Sequence, residues 1–160
     1  MLHLGTGAAT AALLTRLLLG LVGALPWLLA AFGLNSPAFR GVFQGLCHQE
    51  PERSLIIFGS QMVVCSRCAG IYAGMAIGAL APPLGFMVRH GRAVVWTAFS
   101  LAALDVAATY FSLYPLNHAV RIATGAFAGW AAVAFVLGEL GSVASPSGNA
   151  TTQAGCIRRR

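Results

Sequence analysis

Lysine is absent from this chain, and acids nearly so. The 160 residues hold four Asp and Glu together against ten basic residues, all of them arginine. Charged residues make up 9% of the sequence, where a soluble domain carries about 25%. That shortage excludes the ordinary water-soluble globular class. A net charge of +6 invites a nucleic-acid reading, but such proteins show a basic stripe interleaved with aromatics. Here the arginines are scattered between apolar runs, so the charge reports membrane topology and no nucleic-acid partner is expected. Familiar catalytic signatures are missing too: there is no G-x-S-x-G, P-loop or H-E-x-x-H pattern. Gly5-Thr6-Gly7 lacks the preceding strand and the third glycine of a dinucleotide fingerprint. Four cysteines in a chain 58% hydrophobic do not make a disulfide scaffold, and Cys156 lies apart in the polar tail.

What is present is long apolar sequence. The fold expected is all-α, a polytopic membrane helix bundle of about four spans with a short interfacial or re-entrant helix, in one domain over residues 1–141. The spans fall at 13–34, 69–88, 93–114 and 119–140. The first reads as an uncleaved span, because only Arg16 precedes its apolar core and no small-x-small cleavage site follows. Pro51 and Glu52 suit a helix start, and the short apolar stretch 54–64 reads as the short helix. Pro82-Pro83 ends or kinks the second span, and Arg89-His90-Gly91-Arg92 reads as a basic loop. Gly70, Gly74 and Gly78 lie on one helix face, as do Gly125 and Gly129. Such rows let helices approach closely in lipid and would serve packing or contacts between copies of the chain. Residues 142–160 read as a disordered polar and basic tail. Arg89, Arg92 and Arg158–Arg160 place both termini in the cytoplasm by the positive-inside rule, with the loop after the first span on the outer face.

One short stretch departs from this apolar pattern. Cys47 and His48 are followed by Cys65-Ser66-Arg67-Cys68, so three of the four cysteines fall within 22 residues. Packing alone does not call for such clustering. Two residues between thiolates let both sulfurs face one ion, and Cys47 with His48 would complete a tetrahedron. The reading is a transition-metal site, zinc first, formed by Cys47, His48, Cys65 and Cys68. The same residues admit a thiol–disulfide redox pair at Cys65 and Cys68, since a helix start lowers a thiol's pKa. A structural disulfide or inert buried thiols are further readings.

Asp105 sits inside a hydrophobic span. A carboxylate there costs at least about 2.5 kcal/mol on insertion scales, so it needs a partner or a cavity. Arg121 is the expected partner, with Arg53 or Arg67 as alternates. The pair is either architectural or part of a site for an anionic or polar substrate or a proton relay. Asn117 and Arg121, four apart, share a helix face; Asn117 is either the helix cap or a site residue. Asp105, Arg121, Arg53, Arg67 and Asn117 are the candidates for a polar pocket. Whether the chain is an enzyme stays open.

The residues Cys47-His48-Gln49, Pro51-Glu52-Arg53-Ser54, Gly59, Cys65-x-Arg67-Cys68-x-Gly70-Ile71-Tyr72-x-Gly74, Asp105 and Asn117-x-x-x-Arg121-x-x-x-Gly125 resemble a known family. It is a domain-of-unknown-function family of small prokaryotic integral membrane proteins marked by a Cys-His-Gln…Arg-Ser…Cys-x-Arg-Cys-x-Gly-Ile-Tyr pattern. The similarity covers roughly residues 40 to 130. It implies a polytopic protein of a prokaryotic cell membrane and brings no activity with it. The functional expectation is a membrane protein with a metal-binding Cys/His cluster beside an Arg/Asp/Asn pocket. The alternatives are a membrane thiol–disulfide redox protein or a small oligomeric transporter.

Overall fold

The computed structural model describes residues 4–81 and 85–144. Its element order is α1 (Leu4–Ala31), α2 (Pro37–Gln44), a 3₁₀ turn (Pro51–Arg53), β1 (Ser54–Ile57), β2 (Ser60–Cys65), α3 (Ser66–Leu80), α4 (Gly85–Tyr110) and α5 (His118–Ala144). Among the described residues three helices are long and apolar enough to cross a membrane: Thr10–Ala31, Arg89–Tyr110 and His118–Gly141. Their outward residues, such as Leu14, Leu18 and Leu21 of α1 and Trp96 and Leu104 of α4, are exposed. That is the surface a bilayer covers.

The bundle is ordered α1–α3–α5–α4, with α3 packed mainly on α5 and α1, and α4 on α5. Small residues set this order. A Cβ on Gly70 or Gly74 would run into the carbonyl oxygens of Ile122 and Ala126, and one on Gly125 or Gly129 into those of Arg67 and Ile71. The two glycine rows, expected to serve helix packing or contacts between copies, pack on each other inside one chain. The residue pairs also show that α3 and α5 run parallel. Against α1, α3 is antiparallel: the Trp27 indole N–H donates to the Ala69 carbonyl at 3.0 Å, and Gly23 abuts the backbone of Tyr72 and Ala76. The first helix is thus integral to the packing. A Cβ on Gly91 would meet the Phe135 ring, which sets the start of α4 beside the end of α5. One end of the bundle consequently collects the end of α1, the starts of α3 and α5, and the end of α4.

Several expectations need correcting. The stretch 54–64 is not a helix but an antiparallel hairpin pairing Ser54 with Cys65 and Ile57 with Ser60. Its two-residue turn, Phe58-Gly59, has both residues at positive φ, +50° and +78°, the geometry that two-residue hairpins require. The β-branched residues on either side favour the extended form. The expected span 69–88 is replaced by the 15-residue α3, about 22 Å long at 1.5 Å per residue and short of a ~30 Å hydrocarbon core. Four full spans thus become three long helices plus α3. The Arg89–Arg92 segment lies inside α4, which kinks at His90. Helix α2, capped by Ser36 with Pro37 in its first turn, was not anticipated. Residues 142–144 belong to α5. Pro82, Pro83 and the remainder of the expected tail, with Cys156 and Arg158–Arg160, lie outside the described residues.

Candidate functional site

At the end where four helix termini meet, three loops are fastened to one another. Arg40 of α2 donates from Nε to Asn35 Oδ1 at 2.8 Å and from Nη2 to Gln61 Oε1 at 3.2 Å. Asn35 Nδ2 donates to the Gln61 carbonyl at 2.6 Å. Gln49 donates from Nε2 to the Arg40 carbonyl at 2.6 Å, and its backbone has a φ of +52°. A non-glycine residue rarely adopts that conformation without something to hold it, and here the side-chain bond does so. Two residues on, the chain passes into the 3₁₀ turn, which Ser54 closes by donating Oγ to the Glu50 carbonyl at 2.9 Å. These bonds fix the Cys47–Ser54 loop against the hairpin.

The result is a sulfur cluster. The Sγ atoms of Cys47, Cys65 and Cys68 all lie within 4.8 Å of one another, and all three cysteines are free. Cys47 is buried and follows α2, whose Phe43 carbonyl accepts its N–H at 2.9 Å. Cys65 ends β2 opposite Ser54, and its N–H donates to Cys47 Sγ at 3.2 Å. Cys68 occupies the first turn of α3. Phe43, Val64, Ala69 and Tyr72 wall the cluster on its apolar side, with Phe43 and Tyr72 edge to face at 5.8 Å. Hydrogen bonds from the Cys47 and Cys68 thiols hold the Cys65 sulfur well below the usual thiol range. The same contacts with Cys47 and Cys65, joined by burial, push the Cys68 thiol up. Three sulfurs this close share protons, and the thiolate concentrates on Cys65.

His48 is exposed and lies outside the sulfur triad. It lines, however, the same cavity of about 190 Å³ as the three cysteines, together with Arg53, Arg67 and Arg121. The cavity thus brings two distant cysteine stretches and three of the polar candidates together. Asp105 adjoins it through Arg67, whose Nε donates to Oδ2 at 3.0 Å and whose Nη2 bonds the same oxygen. The expected Asp105–Arg121 pairing is thereby corrected: Arg67 makes the ion pair. The reason is parallel packing. Glycine contacts draw the start of α3 so near α5 that Arg67 reaches α4 across it. Asp105 lies five residues, about 7.5 Å, from the last residue of α4, Tyr110, toward the site end of that helix.

Asn117 does not join the cavity. Its Oδ1 accepts the N–H groups of Ala119 at 2.9 Å and Val120 at 3.3 Å, so it is the cap of α5. Arg53 pairs with Glu50 at 2.8 Å. Arg121 is 3% exposed, and its buried Nε has no hydrogen-bond partner. A residue that sequence reasoning passed over is Tyr114. Its hydroxyl donates to Asp105 Oδ1, while Thr109 Oγ1 contacts that hydroxyl at 3.4 Å. Its place in the turn just before α5, close to a charged residue in sequence, is the only signal that could have pointed to it. Arg40 was not singled out, and Gln49 showed only as the third residue of the Cys47-His48-Gln49 motif.

An uncharacterized protein of Methanocaldococcus jannaschii is 32% identical over 101 residues, which cover 60% of this chain and 64% of that protein. This chain therefore spans less than two thirds of that relative's length. Another uncharacterized protein, from Methanothermobacter thermautotrophicus, is 33% identical over 90 residues, 54% of this chain and 80% of the relative. No solved structure matches the chain. A family model described as "Predicted membrane protein (DUF2085)" matches residues 47–135. That stretch is more than half of the chain and runs from the first cysteine of the cluster to the last turns of α5. The protein therefore belongs to the DUF2085 family of membrane proteins.

Proposed function

We propose that this membrane protein binds a transition metal, zinc best suited, through the thiolates of Cys47, Cys65 and Cys68, with His48 or an exogenous ligand as fourth donor. The carrying observation is the sulfur triad itself: three Sγ atoms within 4.8 Å, contributed by two stretches 18 residues apart in sequence. Tetrahedral zinc with Zn–S of about 2.3 Å sets its sulfurs roughly 3.8 Å apart, a spacing that fits sulfurs all within 4.8 Å of one another. Thiolates are soft donors that select zinc and similar ions over hard cations. With His48 the site is closed and structural, fastening the Cys47 loop to the start of α3. Without it, a bound ion would offer Lewis acidity toward the Arg-lined cavity. The residues themselves supply the rest: the Asp105–Arg67–Tyr114 group holds the start of α3 in place, and Arg53 and Arg121 set a positive wall.

Metal analysis of the detergent-purified protein tests this reading. About one equivalent of a transition metal is expected, falling at least tenfold in each of Cys47→Ser, Cys65→Ser and Cys68→Ser. Protein with intact thiols and no metal beyond trace overturns it.

A redox reading has its own support in the split between a thiolate-like Cys65 and a protonated Cys68. That pair would exchange disulfides with a soluble dithiol partner, or pass two electrons and two protons to a quinone as it closes to a disulfide. Mass-tag trapping of thiols in cells tests it: Cys65 and Cys68 should shift between states with growth conditions, and His48→Ala should leave the cycle intact. A single thiol state under every condition removes this reading.

A further inference from the structure

Arg121 poses a question that a metal site does not answer. A guanidinium almost wholly removed from water needs a counter-charge or full hydrogen bonding. The nearby acids are already engaged in hydrogen bonds, Asp105 with Arg67 and Tyr114 and Glu50 with Arg53, and Asp105 acts on Arg121 only through space. The Arg121 Nε is buried with no partner among the described residues. Yet this side chain lines two cavities, the one holding the cysteines and a second of about 100 Å³ that it shares with Arg53, Arg67, Thr109 and Tyr110. The three guanidiniums are thus common to both. Arg53 is half exposed and tied to an equally exposed Glu50, so its pairing is weak and readily exchanged. The start of α3, which has no side-chain cap, also directs a positive helix end to this point.

We propose that Arg121 and Arg53 bind a phosphate group in the space these two cavities share. The group arrives either on an anionic phospholipid or on a free phosphate ester. Guanidinium forks match phosphate oxygens bidentately, and a phosphate has oxygens enough for more than one of them. The site sits at one end of the helices long enough to cross a membrane, where a headgroup or a soluble ester can both arrive. The proposal stands whether or not the sulfur cluster carries a metal.

The test uses the full chain in detergent, wild type beside Arg121→Gln and Arg53→Gln. Each is titrated by calorimetry and thermal shift with inorganic phosphate, glycerol phosphate and short-chain phosphatidylglycerol, and metal content is measured in parallel. Saturable binding is expected, weakened tenfold or more in both variants at unchanged metal content. Binding of the small phosphates assigns a free ester; binding of the lipid alone assigns a headgroup. Arg53→Gln alters a half-exposed side chain and carries the test even if Arg121→Gln misfolds. Wild-type protein that binds none of the three, or variants that bind as well as wild type, overturn the proposal. So does a wild type without phosphate affinity whose Arg121→Gln form loses metal, since Arg121 would then be only the counter-charge of the thiolates.

Discussion

Asp105 and Arg121 are both buried charges at one end of the bundle, yet their substitutions should behave oppositely. Asp105 holds Arg67 and accepts from Tyr114. Asp105→Asn removes the charge that compensates a largely buried guanidinium, and breaking such a pair from one side costs about 3 kcal/mol or more. Tyr114→Phe removes one hydrogen bond to a charged acceptor, about 2 kcal/mol. Arg121→Met, in phosphate-free buffer, should stay within about 1 kcal/mol of wild type, because its buried Nε has no hydrogen-bond partner and the Asp105 carboxylate is bonded to Arg67 instead. Denaturant unfolding in mixed micelles measures all three. An Arg121→Met penalty as large as that of Asp105→Asn would show that Arg121 has a protein counter-charge. At this scale the sequence singled out residues that the structure largely gathers at one end, but not their partners. Cys47, Cys65 and Cys68 stood out because clustered thiols have no packing rationale, and the structure brings them together. That Arg67, and not Arg121, meets Asp105 depends on how closely two helices approach, which spacing along one chain does not encode. Asn117 was recognisable as a helix cap for the opposite reason, since capping is local.

Elements built by local rules were legible, and those settled by tertiary packing were not. The long helices followed from apolar length alone. Residues 54–64 misled because a short apolar run fits a strand or a helix equally well by periodicity. The arbiters were Gly59 in a turn position and the β-branched Ile56, Ile57, Val63 and Val64 around it. The turn carries a testable strain. Phe58 has a φ of +50° and is 87% exposed, and Asn is the residue that such a turn prefers before Gly. Phe58→Asn should raise stability in detergent by about 0.5–1 kcal/mol. An unchanged or lower midpoint would mean that the phenyl ring is anchored in the surrounding amphiphile. The glycine rows give a sharper contrast. Gly74→Ala forces a Cβ into the Ala126 carbonyl of α5 and should cost about 1–3 kcal/mol. Gly138→Ala, with nothing within 4 Å of the new Cβ, should be neutral or gain up to about 1 kcal/mol of helix propensity. Equal effects on the two unfolding midpoints would contradict the close parallel packing of α3 and α5.

For the whole molecule, the alternation of helix direction decides what faces which side. α1 runs toward the site, α3 away from it, α4 toward it and α5 away. Hence the Cys47–Cys65 region and the 111–117 turn lie at one end, while Arg16, Arg89, Arg92 and Gly141 lie toward the other. Arg16 Nη1 donates to the Ala81 carbonyl at 3.4 Å, which ties α1 and α3 together far from the sulfur cluster. Although α3 is short, α4 still begins at the end of the bundle away from the site, where Gly91 lies beside Phe135 of α5. We propose that the arginine-flanked end is cytoplasmic and the site end is outside. Single cysteines at the exposed Leu113 and Gly141, in a background where the native cysteines are serine, test the arrangement in intact cells. A membrane-impermeant maleimide should label Leu113→Cys directly and Gly141→Cys only after permeabilisation. The reversed pattern would keep the bundle but turn the site toward the cytoplasm, where reducing conditions favour metal over disulfide chemistry. Labelling of both positions from one side would break the alternation itself, and with it the convergence of four helix termini on which the sulfur cluster and its arginine wall depend.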